Sequence, residues 1–187
     1  ELSQIEDSMI GQFFSGDSYV IQYEYEVRGR KQAVLFFWLG NESTTDEKGA
    51  AALQTKNLDD TKFGGSASQI RVVQGKEPAT LRSLFKGSLI VHTGGLASGF
   101  KNKNETSSKD EDGVALFHVR GTNSLNTCGV QVEEKASELN GEDCFVLVTP
   151  GEVYVWKGNA ANDEEVQVAS NIGNKLADGY LGKDGRT

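Results

Sequence analysis

The sequence has only two cysteines, Cys128 and Cys144, among 187 residues. Two thiols at this separation provide neither a disulfide framework nor the paired spacing of a metal site, so we expect both to be free. No run approaches the roughly 20 apolar residues that a membrane-spanning helix needs. No signal-peptide pattern opens the sequence. These absences favour a cytoplasmic protein without a transmembrane segment.

Positive charge is also scarce, because 19 lysines and arginines face 27 aspartates and glutamates, for a formal net charge of −8. Such an acidic chain is a poor electrostatic match for nucleic acid. The two histidines, His92 and His118, lie within apolar segments and are expected to be structural. The paired glycines lack the Gly-Lys-Ser/Thr ending of a phosphate-binding loop. No catalytic constellation is visible, so we do not expect an enzyme.

The most informative stretch runs from Trp38 to Leu53. The apolar run 33–38 is long enough for one buried strand, and Gly40 ends it. The spacing Thr44-x-x-Glu47 is that of a capping box, which predicts a helix beginning near Thr44 or Thr45. The alanine-rich segment that follows has high helix propensity. The predicted helix ends near residue 58.

The residues around this stretch predict a mixed sheet covered by helices, an α+β arrangement. Strands are expected at 18–27, 33–38, 69–74 and 88–92, with a short helix after Pro78. The second half repeats this order, since Trp156 precedes Glu165 by nine residues, as Trp38 precedes Glu47. The intervening polar stretch is typical of a linker. We therefore predict two duplicated domains, residues 1–99 and 114–187, joined by a linker at 100–113, the second domain being shortened at its carboxyl end.

Five stretches, 14–20, 38–52, 71–78, 94–100 and 142–147, resemble the gelsolin/villin/severin family. The resemblance implies two consecutive gelsolin-like domains, each with a mixed central sheet between one long and one short helix. It also implies binding to actin monomers and filaments under calcium control, by capping or sequestering and, in many members, by severing. The motifs leave open whether the pair matches the family's first and second domains, its fourth and fifth, or a free-standing two-domain protein.

The resemblance further implies calcium sites, for which oxygen ligands are chemically suitable. The first site would use two side chains and two backbone carbonyls, contributed by Asp17 and Glu47, and by Gly16 and Leu96. The second would use the Glu142 carbonyl with the side chains of Asp143 and Glu165. A third, shared with actin, would use Asp59 with the carbonyls of Gly65 and Ala67, although the preceding loop is one residue longer than usual in the family.

Each calcium ligand also has a structural interpretation. Glu47 can simply cap its helix, Asp17 can be a turn residue, and Asp59 can end a helix in solvent. Two carboxylates placed together without a cation would repel each other, which favours a bound metal. These alternatives stay open from the sequence.

The resemblance assigns actin binding to the long helix, which would enter a cleft of actin. The exposed positions expected to contact actin are Gln54, Asn57, Leu58 and Phe63, whereas Ala50, Ala51 and Leu53 are expected to lie in the core. Phosphoinositide binding is only weakly supported, because the basic residues near the linker are dispersed among acids. The favoured function is calcium-regulated actin binding in the cytoplasm and cytoskeleton. The alternatives are a calcium-independent side-binding or scaffold module and an actin-depolymerising-factor-like activity.

Overall fold

The computed structural model of the chain describes residues 3–95, 113–123 and 125–180. The first half contains five strands and two α-helices: β1 (Gln12–Phe14), β2 (Ser18–Val27), β3 (Arg30–Leu39), α1 (Thr45–Leu58), β4 (Ser68–Val73), α2 (Ala79–Leu84) and β5 (Ile90–His92). In the second half, the described residues form four strands and one long helix: β6 (Ala115–Arg120), β7 (Cys128–Val132), β8 (Cys144–Val148), β9 (Val153–Lys157) and α3 (Asp163–Tyr180). Short 3-10 turns lie at Asp7–Met9 and Ala136–Glu138.

Strands β2, β3 and β4 form a three-stranded mixed sheet in that order, antiparallel between β2 and β3 and parallel between β3 and β4. The β2–β3 hairpin turns at Arg28 and Gly29, both with positive φ, which is the geometry of the tight turns that match strand twist. Helix α1 packs on this sheet. Because side chains alternate along a strand, the face opposite α1 carries Phe36 and Trp38.

The other sheet has six strands in the order β1-β5-β7-β6-β8-β9. Its β1–β5–β7 part is parallel and its β7–β6–β8–β9 part is antiparallel. Helix α3 packs against β8 and β9. Strands from both halves of the sequence share this sheet, so β5 of the first half lies beside β7 of the second.

Two hydrophobic clusters fill the interior. One lies between Trp38 and Phe36 of the three-stranded sheet and Leu81 of α2, and it extends to Phe13 and Val91. The other packs α3 on the six-stranded sheet, through residues such as Ile172 and Phe117. These mixed sheets with few helices confirm the predicted α+β class. In the described ranges no helix is both long and apolar enough to cross a bilayer.

The two thiols are free, as predicted. Cys144 is buried in β8, and its pairing partner across the hairpin is Lys157.

Candidate functional site

Helix α1 begins with the predicted capping box. Thr44 is the N-cap, and its hydroxyl oxygen accepts from the Glu47 backbone N–H at 3.2 Å. In return, the Glu47 carboxylate accepts from the Thr44 backbone N–H at 2.7 Å and from its hydroxyl at 2.9 Å. The Glu47 side chain is exposed, and in these contacts its carboxylate serves as a helix cap.

Three backbone segments meet beside this helix start. The Gly40 N–H donates to the Asp17 carbonyl at 3.0 Å, and the Gly16 N–H donates to the Gly94 carbonyl at 2.6 Å. A Cβ at Gly40 would lie 2.2 Å from the Ser15 carbonyl oxygen, so only glycine permits this approach. The strand end at 15–17, the turn at 40–43 and the strand end at 92–95 are thus packed together.

Glu42 links these segments, a role that sequence reasoning missed. Its carboxylate accepts from the Ser15 hydroxyl at 2.7 Å and from the Gly94 N–H at 3.3 Å. Its own N–H donates to the Ser15 carbonyl at 2.8 Å. The only sequence signal was its place two residues after the Gly40 break.

Of the first predicted calcium set, Gly16 and Asp17 lie at this meeting point. The Tyr19 hydroxyl donates to the Asp17 carboxylate at 3.2 Å. Burial raises the pKa of Tyr19, and the negative charge of Asp17 raises it further. Leu96 lies outside the described residues, although Gly94 and Gly95 bring the chain to this place. The Ser18 hydroxyl donates to the Ser43 hydroxyl at 3.1 Å. This hydrogen bond joins the segment that follows Asp17 to the segment that precedes α1.

The second half repeats this backbone frame. The Gly158 N–H donates to the Asp143 carbonyl at 3.0 Å, and the Ala160 N–H donates to the Gly141 carbonyl at 2.8 Å. These bonds match Gly40 to Asp17 and Glu42 to Ser15 in the first half. A Cβ at Gly158 would lie 2.5 Å from the Asp143 carbonyl oxygen, which again requires glycine. The two halves therefore share this pair of backbone hydrogen bonds, while the division into two domains stays a prediction.

The carboxylates of the second predicted set both line one cleft of about 570 Å³. Glu165 is 4% exposed and accepts from the backbone N–H groups of Gly121 at 3.0 Å and Asn162 at 3.1 Å. Asn162 accepts from the Glu165 N–H at 2.9 Å, so Glu165 occupies the same capping position as Glu47. Glu142, whose backbone carbonyl belongs to this predicted set, is exposed and directly precedes Asp143.

Asp143 is held by two side chains. The Asn140 amide donates to its carboxylate at 2.9 Å, and His118 Nε2 lies 2.8 Å from the same oxygen. Burial alone would raise the pKa of Asp143, but the contacts with Asn140 and His118 bring it below its ordinary value. Its carboxylate is therefore ionised at neutral pH.

The residues of the third predicted site are also brought together. Asp59 is 3% exposed, and its carboxylate accepts from the Ala67 N–H at 2.9 Å and the Gln69 amide at 2.7 Å. The Gly65 N–H donates to the Asp59 carbonyl at 3.1 Å. The chain from Asp59 to Phe63 forms a π-helical turn ended by Gly64 in the left-handed conformation.

The four side chains predicted to contact actin from exposed positions are, as a set, only partly exposed. Asn57 is exposed, and Gln54, Leu58 and Phe63 are half-buried. The prediction that Leu53 belongs to the core is wrong, because its side chain is 59% exposed.

Ala50 is likewise exposed, whereas Ala51 is buried as predicted. The helix turns Ala51, Thr55 and Asp59 inward. The spacing of these three residues, rather than that of the alanines and leucine, defines the buried face.

The donor chemistry of all three predicted sets suits calcium, because every proposed ligand is an oxygen. Within the ranges that the structure describes, no three His, Cys, Asp or Glu side chains are grouped so that they could hold a metal ion. The predicted sets contain at most two carboxylates each and depend on backbone carbonyls for the rest.

Comparison with known proteins gives consistent matches. A family model described as the gelsolin repeat matches residues 1–82 and 129–173. Cytoplasmic gelsolin of Homarus americanus is 45% identical over 172 residues, which are 92% of this chain and 23% of that protein. Gelsolin of Xenopus laevis is 40% identical over 167 residues, 89% of this chain and 38% of the relative. Advillin of Mus musculus is 35% identical over 179 residues, 96% of this chain and 21% of the relative.

These figures show that the chain spans well under half the length of the curated relatives that it matches. Among solved structures, the complex of the Thorarchaeota protein 2DGel3 with rabbit actin matches 94% of this chain and 80% of its own. That match has 23% identity and a TM-score of 0.36.

Proposed function

The chain belongs to the gelsolin family, and from this premise we propose that it is a non-enzymatic actin-binding protein under calcium control. The observation that carries the proposal is the meeting of the strand ends 15–17 and 92–95 beside the start of helix α1, whose outer face is exposed. Calcium at the strand ends and actin on the helix would therefore act on neighbouring parts of one element. We place this activity in the cytoplasm, at the cytoskeleton.

The proposed actin surface is the outer face of α1, with Gln54, Asn57, Leu58 and Phe63. The exposure of Leu53 supports it, since binding is favoured when a partner covers a large apolar side chain that was exposed to water. Capping or sequestering of actin is the expected mode, with severing as an additional activity.

The first candidate calcium site would be held by the carboxylates of Asp17 and Glu47 and the carbonyls of Gly16 and Leu96. Calcium would supply the positive charge that lets two carboxylates approach each other. Glu47 would exchange its capping contacts with Thr44 for the metal. The same change would fix the start of α1 against the strand ends.

The second candidate site combines Asp143 and Glu165 with the Glu142 carbonyl. The third combines Asp59 with the carbonyls of Gly65 and Ala67, and an actin carboxylate would complete it. The burial and preset hydrogen bonds of Asp59 favour a carboxylate that is oriented before actin arrives.

The capping box also favours a second candidate function, a calcium-independent actin side-binding or scaffold module. The Glu47 carboxylate already has two hydrogen-bond donors, so the helix start is satisfied without a metal. In that case calcium would change neither stability nor actin binding.

The deciding experiment measures depolymerisation of fluorescent actin filaments in calcium and in chelator. The wild-type chain should accelerate filament loss more in calcium, and the double variant Asp17→Ala/Glu47→Ala should lose that difference. Asp46→Ala, which removes a neighbouring exposed first-turn carboxylate outside the predicted set, is the control and should behave as wild type. An equal effect in calcium and chelator would reject calcium control and support the scaffold function. No effect in either condition would reject capping, sequestering and severing, and no co-sedimentation of the wild-type chain with filaments would then reject actin binding.

The actin surface is tested separately by Leu53→Ser. We expect weaker actin binding in co-sedimentation, with thermal stability nearly unchanged because the side chain is exposed. Leu125→Ser, at a 51% exposed leucine in the β6–β7 loop, is the matched control and should bind actin normally. If both variants lose actin binding equally, or if neither loses it, the actin surface lies elsewhere.

A further inference from the structure

We propose that one face of the β2–β3 hairpin is a docking surface for an extended segment of another protein, apolar at one end and acidic at the other. This face is formed by side chains at alternate positions on the two strands. They are Tyr23, Tyr25 and Val27 on β2, with Gln32 and Arg30 opposite them on β3. We call this surface the hairpin face. Neither calcium nor actin is needed for the binding.

The hairpin extends past the sheet to which it belongs. Strand β4 pairs with β3 only from Val34 to Leu39, whereas β2 stays paired with β3 as far as Val27 and Arg30. The outer part of the hairpin is therefore a two-stranded ribbon in the described structure. Because side chains alternate along a strand, the hairpin face continues the sheet face that carries Trp38, beyond the hydrophobic cluster around that residue.

Two tyrosines and a valine form the apolar end of the hairpin face. The Tyr23 side chain is 41% exposed, and its ring stacks on that of Tyr25 with centroids 5.6 Å apart. Val27, the next residue on this face, is 44% exposed. Because the stacked rings already hold each other in place, a partner that covers them immobilises less side-chain freedom. Tyrosine is also enriched among the residues that dominate binding energy at interfaces.

Two arginines form the basic end of this surface, at the tip of the hairpin. Arg28 lies in the turn, and Arg30 lies directly opposite Val27; both side chains are exposed. In the described part of the chain neither arginine is paired with a carboxylate, whereas the exposed Lys56 and Lys62 each are. Two neighbouring unpaired cations in a chain of net charge −8 attract carboxylates, which a guanidinium binds in bidentate geometry.

The placement of the acidic residues favours a narrow occupant. Glu24 and Glu26 alternate with the tyrosines and therefore lie on the opposite face, where Glu24 pairs with Lys62 at 3.0 Å. A broad anionic surface, such as a membrane, would meet these carboxylates and the net negative charge of the chain as well. A single extended segment on the hairpin face would contact only the apolar side chains and the arginines.

The order of side chains on the hairpin face defines the order of residues in the partner. From Tyr23 to Val27 the face is about 13 Å long, because a strand rises about 3.3 Å per residue. The partner segment should be apolar where it crosses the tyrosines and acidic where it reaches Arg28 and Arg30. Its contacting residues should be two apart, since alternate side chains of an extended segment lie on one side.

The test titrates the whole isotope-labelled chain with the peptide Leu-Ser-Leu-Ser-Glu-Ser-Glu and follows the backbone amide signals by nuclear magnetic resonance. In an extended conformation this peptide presents its leucines and glutamates on one side. The amide signals of the hairpin should shift, and their titration gives the dissociation constant. A peptide with lysines in place of the glutamates should bind at least about tenfold more weakly, as should one with serines in place of the leucines.

Variants of the hairpin face separate its two ends. Tyr23→Ser and Arg30→Glu should each weaken binding of the glutamate peptide about tenfold. Tyr154→Ser and Lys157→Glu, at exposed residues of similar chemistry on β9, are the matched controls and should bind like the wild type. The double variant Arg28→Glu/Arg30→Glu should prefer the lysine peptide, a reversal that loss of folding cannot produce.

Three results of the titration would overturn the inference: no shifts at high peptide concentration, shifts confined to residues outside the hairpin, or equal binding of the glutamate and lysine peptides. Two other occupants are tested with the same variants, by co-sedimentation with phosphatidylserine vesicles and by sedimentation velocity of the chain alone. Vesicle binding or self-association that Tyr23→Ser removes would assign the hairpin face to a membrane or to a second copy of the chain. Either result would replace the peptide partner.

Discussion

Acid should destabilise this fold through His92, which lies on β5 between β1 and β7 of the six-stranded sheet. The imidazole is 4% exposed, stacks on Phe14 with ring centroids 4.7 Å apart, and meets Phe117 edge-on at 5.3 Å. Its Nε2 lies 2.8 Å from the Gln12 amide oxygen. Burial, together with a smaller effect of the nearby charge of Lys175, lowers the pKa of His92 from 6.5 to about 4.

The sign and size of the effect follow from linkage. A histidine whose pKa is lower in the folded state stabilises the fold above its unfolded pKa, and this stabilisation is lost as pH falls towards the folded pKa. Since one unit of pKa corresponds to about 1.36 kcal/mol, the loss should be about 3 kcal/mol at pH 4. About 2 kcal/mol of it should already be lost between pH 7.5 and pH 5.

Urea unfolding at pH 7.5 and pH 5 measures this loss in the wild type and in His92→Gln, which keeps an amide donor for Gln12 but has no group that titrates. The wild type should lose about 2 kcal/mol more than the variant over this interval. Val91→Ala, on the same strand, is the control, because its cavity should cost similar stability at both pH values. Equal pH dependence in the wild type and His92→Gln would refute the reasoning.

Two further predictions concern glycine and the Asp59 turn. Gly40→Ala should destabilise the fold by several kcal/mol or prevent folding, because the added Cβ would lie 2.2 Å from a carbonyl oxygen. Gly49→Ala, in open space on α1, should instead stabilise the fold by about 0.5–1 kcal/mol in thermal unfolding. Gln69→Leu should cost about 1–3 kcal/mol by leaving one Asp59 oxygen without its donor, and Asp59→Asn/Gln69→Leu should cost less than the sum of the costs of Asp59→Asn and Gln69→Leu. Additive effects in this double variant would show that the Asp59–Gln69 bond contributes nothing.

Helix α1 could be predicted almost to the residue because its start signal is local. A capping box needs only Thr44 and Glu47 three residues apart, and both reciprocal bonds are present. Local signals also located β2 and β3, which were expected at 18–27 and 33–38 and extend over Ser18–Val27 and Arg30–Leu39. The same is true of the Trp156–Glu165 spacing, because Glu165 caps α3 as Glu47 caps α1.

The contacts of Glu42 could not be predicted, because they depend on distant parts of the chain. Gly94 is 52 residues away in sequence and reaches Glu42 only through the pairing of β5 with β1. Nothing in the residues around position 42 specifies which backbone will lie opposite. The strand β1 itself was missed, since three residues are too few for a recognisable period.

The buried face of α1 was misassigned for a different reason. Hydrophobic periodicity identifies a core face only when that face is apolar. Here the inward positions include Thr55 and Asp59, while the larger apolar residue Leu53 points to solvent. Thr55 can be buried because its hydroxyl donates to the Ala51 carbonyl at 2.7 Å. Because the inward side chains are small and have their polar groups hydrogen-bonded, the helix can pack close to the sheet. Such a face leaves no hydrophobic stripe in the sequence.

The two halves share one backbone frame but complete it differently. In each, a glycine N–H donates to the carbonyl of an aspartate at a strand start, and a glutamate caps the following long helix. In the first half a third segment, ending at Gly94, is added and tied by Glu42. In the second half Asp143 is instead held by the side chains of Asn140 and His118. The common frame therefore explains why carboxylates recur at equivalent positions, whereas the added contacts determine how firmly each one is held. Mutations that are meant to distinguish the two halves should therefore target these added contacts rather than the shared glycines and glutamates.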